Sequence, residues 1–257
     1  MSNECAASGG LQMSWQDIDR SPLRSAFTGV ADQVPVALPP RPGVVAGSLD
    51  LRVLELLTAR LCHELIGPIA AINNGMELLA DESVLVRGEP DPGFARDAIS
   101  LIGDSASRAA SRLQFYRFAY GYHGASMVGS PPNELASRFF EKTQIACDYG
   151  ENIRTLPLDW QRLACNLLLT GAEVLSRGGN LVLAAARDGL DVEATGEFTP
   201  MSPETSAALL LATAVAELTP RSVQAYFTGL LAKTLGCRLV RTEEYRRLRL
   251  AAVVFAG

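Results

Sequence analysis

A chain of 257 residues, 48% hydrophobic and 20% charged, is long enough for one large domain or two small ones and too apolar for wholesale disorder. Its formal net charge of −5 argues against the basic footprint of a nucleic-acid binder while leaving room for local basic patches that meet acidic partners. No apolar run reaches the roughly 18 residues of a membrane span, no secretory signal opens the chain, and five scattered cysteines without a CxxC read as reduced thiols, so a cytoplasmic protein is expected.

Residues 1–47 are rich in Gly, Pro, Ser and Ala and end in Leu38-Pro39-Pro40-Arg41-Pro42-Gly43, which predicts a disordered N-terminal tail. From Ser48 the pattern changes. Ser48 or Asp50 caps a helix that runs to about Ala80. Leu54, Leu61, Pro68 and Gly75 recur every seven residues, with Thr58, Leu65, Ile72 and Leu79 as the adjoining row. Leu57, Ala71 and Leu78 widen the stripe into one broad buried face.

A polar break from Asp81 to Gly93 leads to a second helix, about Phe94 to Tyr120, with Ala98, Leu101, Ile102, Ala106, Ala109, Leu113 and Tyr116 at helical spacing. Residues 48–123 therefore form an antiparallel helical hairpin. Such a hairpin leaves an apolar face open, and dimerisation into a four-helix bundle is the simplest way to cover it.

After a linker from Gly121 to Pro132, residues 131–257 alternate helices and strands. The pattern predicts a helix over 133–146, a short strand near Asn152–Leu156 and a helix over Asp159–Ser176. Strands Asn180–Arg187 and Leu190–Phe198 follow, joined through the hairpin signal Asp188-Gly189. Helical segments at 203–217 and 221–235 then precede strands Arg238–Glu243 and Leu248–Phe255, which makes an α+β layer domain.

The chemistry concentrates at Arg60-Leu61-Cys62-His63-Glu64-Leu65-Ile66-Gly67-Pro68, because His63 is one of only two histidines. At ~100° per residue, His63 lies about 200° from Leu61 at the centre of the core stripe, so the imidazole faces solvent, opposite the dimer seam. Its face is shared by Ala59, Gly67, Ala70 and Asn74, small neighbours that permit close approach by another protein, and Ile66 beside them offers apolar contact. An ordinary surface histidine would explain this without Pro68. A proline inside a long helix removes a backbone hydrogen bond and costs ~3 kcal/mol, which points to function rather than accident. Glu64 is a neighbour about 100° around the helix, either a proton acceptor or orienter of the ring or a solvated surface charge. A zinc site fails on ligands: position 67 is Gly, and no second histidine lies one turn on.

His63-Glu64-Leu65-x-x-Pro68 resembles the H-box of the dimerisation and phosphotransfer domain of sensor histidine kinases. That family places a basic residue where this chain has Ile66, and often Thr or Asn, which orients water for phosphatase action, where it has Gly67. The second half is similar to a degenerate kinase ATP-binding domain. Asn166-Leu167-Leu168-Leu169-Thr170-Gly171-Ala172 resembles the N-box helix, with Thr170 where the magnesium-binding Asn would stand. Gly196-Glu197-Phe198-Thr199-Pro200 replaces the D-x-G-x-G turn, and Leu218-Thr219-Pro220-Arg221-Ser222 stands in the region of the glycine-rich phosphate loop. Without those backbone donors, ATP binding should be lost.

A kinase-like hairpin with a nucleotide-free second domain resembles the ChpT-type bacterial histidine phosphotransferases. The match runs from about Leu49 to the C-terminus and includes Leu61-Cys62-His63 and Gln114-Phe115-Tyr116-Arg117. The resemblance implies a cytoplasmic homodimer that relays phosphate from the receiver of a CckA-like hybrid kinase, through His63, to CtrA-like and CpdR-like response regulators. It implies no cofactor or metal of its own, Mg²⁺ being held by the partner receiver. In that scheme His63 is the nucleophile, Glu64 a proton acceptor or orienter, and Pro68 the shaper of the helix. Docking contacts fall to Arg60, Ile66, Gly67, Ala70 and Asn74. Tyr116 and Tyr120 divide between docking and bundle core, and Arg177, Arg187, Arg246, Arg247 and Arg249 between receiver contacts and a solvated face. Two other functions stand beside this one: an active ATP-dependent kinase and a non-catalytic dimeric scaffold.

Overall fold

The structure is a computed structural model that describes residues 50–80, 92–121, 129–197 and 200–254. The predicted tail, Ser48, nearly all of the polar break and most of the first linker lie outside the described residues. Two long helices open the fold, α1 (Leu51–Ala80) and α2 (Pro92–Tyr120). Asp50 caps α1, its Oδ1 accepting from the Arg52 amide at 2.9 Å and its carbonyl from the Val53 amide at 3.0 Å. The two helices meet at Gly75, where a Cβ would stand 2.6 Å from Ile102. That is why a glycine sits in the core row.

The buried face of α1 keeps most of the predicted stripe and turns away only from its edge at Leu54, Thr58 and Leu78, which are exposed. Val53, Leu57 and Gly75 are buried, Leu61 and Pro68 are half-buried, and Leu54 is 51% exposed. The reason is that the hairpin packs on the second layer as well as on itself. Leu57 joins one continuous core with Phe115, Phe118 and Ala119 of α2 and the helices and strands that follow.

The second layer comprises α3 (Pro132–Phe140), β1 (Ile145–Tyr149), α4 (Leu158–Ala172), β2 (Gly179–Ala186), β3 (Gly189–Gly196), α5 (Pro203–Leu209), α6 (Val223–Thr234), β4 (Cys237–Glu244) and β5 (Arg247–Val254). The strands form one mixed sheet in the order β1-β2-β3-β5-β4. Only the β1–β2 pair is parallel. Period-2 alternation turns Leu181 and Leu183, Leu190 and Val192, and Leu248 and Leu250 inward beneath α4 and α6. The fold is α+β, as the pattern of elements predicts.

Three elements differ from expectation. The helix expected over 133–146 stops at Phe140, where the Thr143 amide and hydroxyl both donate to the Phe140 carbonyl, at 2.9 and 2.8 Å. Thr143 also receives the Ile145 amide at 3.2 Å, so it turns the chain into β1. The strand expected at Asn152–Leu156 is instead a 3₁₀ turn, Glu151–Thr155, inserted between β1 and Pro157. The helix expected over 203–217 ends at Leu209, because Leu211 takes the left-handed conformation at φ +56°. There the Ala212 amide reaches back to the Ala207 carbonyl at 2.8 Å, closing the helix end. Gly229 on α6 makes room for this turn, since a Cβ there would stand 2.4 Å from the Leu209 carbonyl.

Candidate active site

His63 sits in the middle of α1 with its ring exposed, and among the described residues no hydrogen bond or ion pair engages it. Around it Ala59, Ile66, Gly67, Ala70 and Asn74 are also exposed, Ile66 to 67%. A Cβ at Gly67 would meet nothing within 4 Å, so nothing packed against α1 demands a glycine there. The structure thus brings five of the sequence-predicted residues onto one accessible face with His63 at its centre. Pro68 lies inside α1, half-buried, and the helix continues through it.

Glu64 faces elsewhere. Its carboxylate pairs with the Arg112 guanidinium of α2, and Arg112 in turn lies over the Phe139 ring at 5.6 Å. The residue next to the histidine is therefore tied across the hairpin and onward to α3. Arg60 is also turned inward: its Nη2 stands 2.7 Å from Glu173 Oε1 in an ion pair, and its Nη1 donates to the Pro220 carbonyl at 3.4 Å. Burial pushes the Glu173 carboxyl up to about 7, with the Arg60 charge acting against that rise.

Behind these charges Tyr116 and Tyr120 stack with centroids 5.3 Å apart. Burial pushes the Tyr116 hydroxyl up to about 12 and drives Tyr120 in the same direction. The Tyr120 hydroxyl donates to Gln224 Oε1 at 2.5 Å, so both rings belong to the joint between α2 and α6.

That joint absorbs the polar residues of α4. Asn166 Nδ2 donates to the Ala119 carbonyl at 2.8 Å, and Arg162 donates to the Ala119 and Tyr120 carbonyls at 3.0 and 2.8 Å. Together they satisfy orphan carbonyls at the end of α2. Gln224 Nε2 donates to Asn166 Oδ1 at 3.1 Å, and the Thr170 and Thr228 hydroxyls share a hydrogen bond at 2.9 Å. All four of these side chains are buried.

The arginines of the second layer divide by partner. Arg247 reaches Glu193 at 2.6 Å, and Arg249 holds both Asp191 oxygens at 3.1 and 2.8 Å across the sheet. Arg246 Nε donates to the Gly196 carbonyl at 3.2 Å. Arg177 is 80% exposed, 4.0 Å from Glu197, and Arg187 is exposed. Sequence reasoning missed Arg52, Arg112 and Glu173, whose partners are set by tertiary packing. Among the described residues no cluster of His, Cys, Asp and Glu is placed to hold a metal, and no helix is long and apolar enough to cross a membrane.

Residues 132–244 match the family model of the histidine phosphotransferase C-terminal domain, so the second layer is of the phosphotransferase class. A curated relative, the protein phosphotransferase ChpT of Brucella abortus (strain 2308), is 31% identical over 204 residues, covering 76% of this chain and 91% of that one. A solved structure of a bacterial phosphotransferase superposes with a TM-score of 0.63 at 27% identity, covering 80% of this chain and 98% of the other. The chain belongs to the ChpT family of histidine phosphotransferases.

Proposed function

We propose that the protein is the phosphoryl carrier of a bacterial multistep phosphorelay, with His63 as the phosphoacceptor. The observation that carries this reading is the imidazole itself, exposed and unengaged in the middle of a long helix with Ala59, Gly67 and Ala70 around it. A neutral ring nitrogen attacks the phosphorus of a receiver's aspartyl phosphate. The bond from phosphorus to the carboxylate oxygen breaks, and the carboxylate leaves with its electron pair. The proton on the other ring nitrogen exchanges with solvent, and the reverse sequence delivers the group to a second receiver. Phosphoryl transfer of this kind depends on positioning and charge neutralisation, which the receiver's Mg²⁺ and acidic pocket supply. The carrier contributes a nucleophile and a surface on which to dock. Glu64, anchored by Arg112, holds α1 against α2 beside the ring. Ile66, Gly67, Ala70 and Asn74 form the docking face.

The donor in this scheme is the receiver of a CckA-like hybrid kinase and the acceptors are CtrA-like and CpdR-like regulators, as in the family resemblance. The carrier needs no nucleotide. What supports this is that Asn166 and Thr170, on the helix that resembles the N-box, are committed to Gln224, Thr228 and the end of α2. It works as a homodimer through the face of α1 opposite His63.

The test is transfer from a receiver domain phosphorylated with labelled acetyl phosphate in the presence of Mg²⁺. Wild type should acquire acid-labile label and His63→Ala none. Equal labelling of both, or of neither, overturns the assignment, and labelling of the protein by ATP and Mg²⁺ alone would establish a kinase instead.

A further inference from the structure

From Ala59 to Asn74 the only charged side chains of α1 are Arg60 and Glu64. Both are turned away from the face that carries His63. Arg60 pairs with Glu173 at 2.7 Å. Glu64 pairs with Arg112 of α2, the two side chains being 28% and 23% exposed. What remains exposed around His63 is uncharged: Ala59, Ile66, Gly67, Ala70 and Asn74. The Arg112 guanidinium is itself backed by the Phe139 ring of α3 at 5.6 Å. That ring packs against Phe115 at 4.5 Å and Phe140 at 4.9 Å, so the cation stands on a fixed aromatic platform.

We propose that Arg112 is a positioning residue for phosphoryl transfer: it draws the Glu64 carboxylate off the His63 face and cancels its charge, so that a phosphorylated receiver meets no negative charge beside the phosphoacceptor. The inference rests on the phosphotransfer reading above. The receiver's phosphoryl group sits in an acidic pocket, and a carboxylate set against it across the interface opposes association. Glu64 is the carboxylate placed to do this, being next to His63 and about 100° around the helix from it. Gly67, one turn on, lies about 40° from His63 and so between the two in phase. A Cβ there would meet nothing within 4 Å, and no side chain bars Glu64 from swinging across it. An ionised side chain that loses its partner turns to water, and the nearest water lies over this exposed face. Arg60 is committed to Glu173, which leaves Arg112 as the cation that holds Glu64 back. Glu64 then takes no proton during transfer.

The experiment uses the full chain and measures transfer from a phosphorylated receiver over a range of receiver concentrations. Phosphoramidate, which brings no acidic pocket, is the second phosphodonor. In Arg112→Met, which keeps an unbranched stem against Phe139, the receiver concentration giving half-maximal rate should rise about tenfold. The rise should shrink as salt is added, because screening weakens the repulsion. Phosphoramidate labelling of His63 should hold. Arg112→Lys keeps the charge and should fall between wild type and Arg112→Met. In a Glu64→Gln background no charge is left to cancel, so Arg112→Met should raise the half-maximal concentration no further. A merely structural Arg112 would act alike in both backgrounds, and an equal rise in the two overturns the inference. Wild-type behaviour of Arg112→Met overturns it too, as does a loss of phosphoramidate labelling in that variant that matches its loss of receiver transfer. A lost maximal rate in Glu64→Gln makes Glu64 a proton acceptor and has the same effect. A wild type that accepts nothing from any receiver sinks the phosphotransfer reading itself. A wild type that transfers normally beside indifferent variants sinks only the role of Arg112.

Discussion

At Glu173 two physical effects oppose one another, and the balance is measurable. Burial favours the neutral carboxyl, Arg60 favours the carboxylate, and burial wins, leaving the group at about 7 against an ordinary value of 4.5. A folded-state value above the unfolded one means that the folded protein holds this proton more tightly. The stability it contributes is therefore complete below about pH 4.5 and is lost as pH rises through about 7. For a shift of this size the loss is at most roughly 3 kcal/mol. Urea unfolding of wild type at pH 5, 6, 7 and 8 should show this fall, and Glu173→Gln should show a flatter dependence. Parallel curves for the two proteins would assign the pH dependence to other groups. None of this was readable from the sequence, because Glu173 meets Arg60 across more than a hundred intervening residues. His63 was readable, because its exposure follows from helical phase, and helical phase is a local property.

At the scale of the element, α1 carries Gly67-Pro68 in its interior, each a poor helix residue. The pair has a joint explanation. A side chain before proline collides with the proline ring in the helical conformation, and glycine has no Cβ to collide. An interior glycine costs ~1 kcal/mol relative to alanine, and proline ~3 kcal/mol. Since a Cβ at position 67 meets nothing packed against the helix, only Pro68 stands in its way. Gly67→Ala alone should therefore gain little or lose stability, whereas in a Pro68→Ala background it should stabilise by about 1 kcal/mol. Thermal or urea unfolding of the four proteins in this cycle decides it, and equal effects in both backgrounds would show that the two positions are independent. The same local logic marks what was legible among the elements. The long helices and the Asp188-Gly189 hairpin were readable because their periodicity and turn chemistry lie within one stretch of chain. β1 was hidden because Ile145, Cys147 and Tyr149 are only half-buried, and their alternation runs on from a helix without a glycine or proline between. The early end of α5 depends on Gly229, twenty residues away.

At the scale of the whole molecule, the hairpin divides its apolar residues between two faces. One face, with Val53, Leu57, Phe115 and Tyr116, is buried against the second layer. The other remains open: Leu54, Ile69 and Met76 on α1 are 51%, 52% and 55% exposed, and Ile99 and Leu113 on α2 are 61% and 49% exposed. The α1 row lies between about 180° and 240° around the helix from His63, so a partner seated there leaves the imidazole free. A single stripe centred on Leu61 spans both faces, which is why sequence periodicity took in the exposed Leu54 and Leu78 with the buried side while indicating that a face needed cover. In the proposed homodimer, a second copy of the chain covers the open face by pairing like with like, as a two-fold bundle requires. Ile69→Glu with Met76→Glu places two charges in that seam and touches neither the buried face nor the His63 face. Light scattering after size exclusion should find wild type at twice the mass of one chain and the double variant at the mass of one. The variant should keep its α+β circular dichroism and melt at a lower temperature, since Leu57 and Tyr116 still dock its hairpin on its own second layer. An unchanged dimer mass would move the seam elsewhere, and a wild-type monomer would overturn the homodimer.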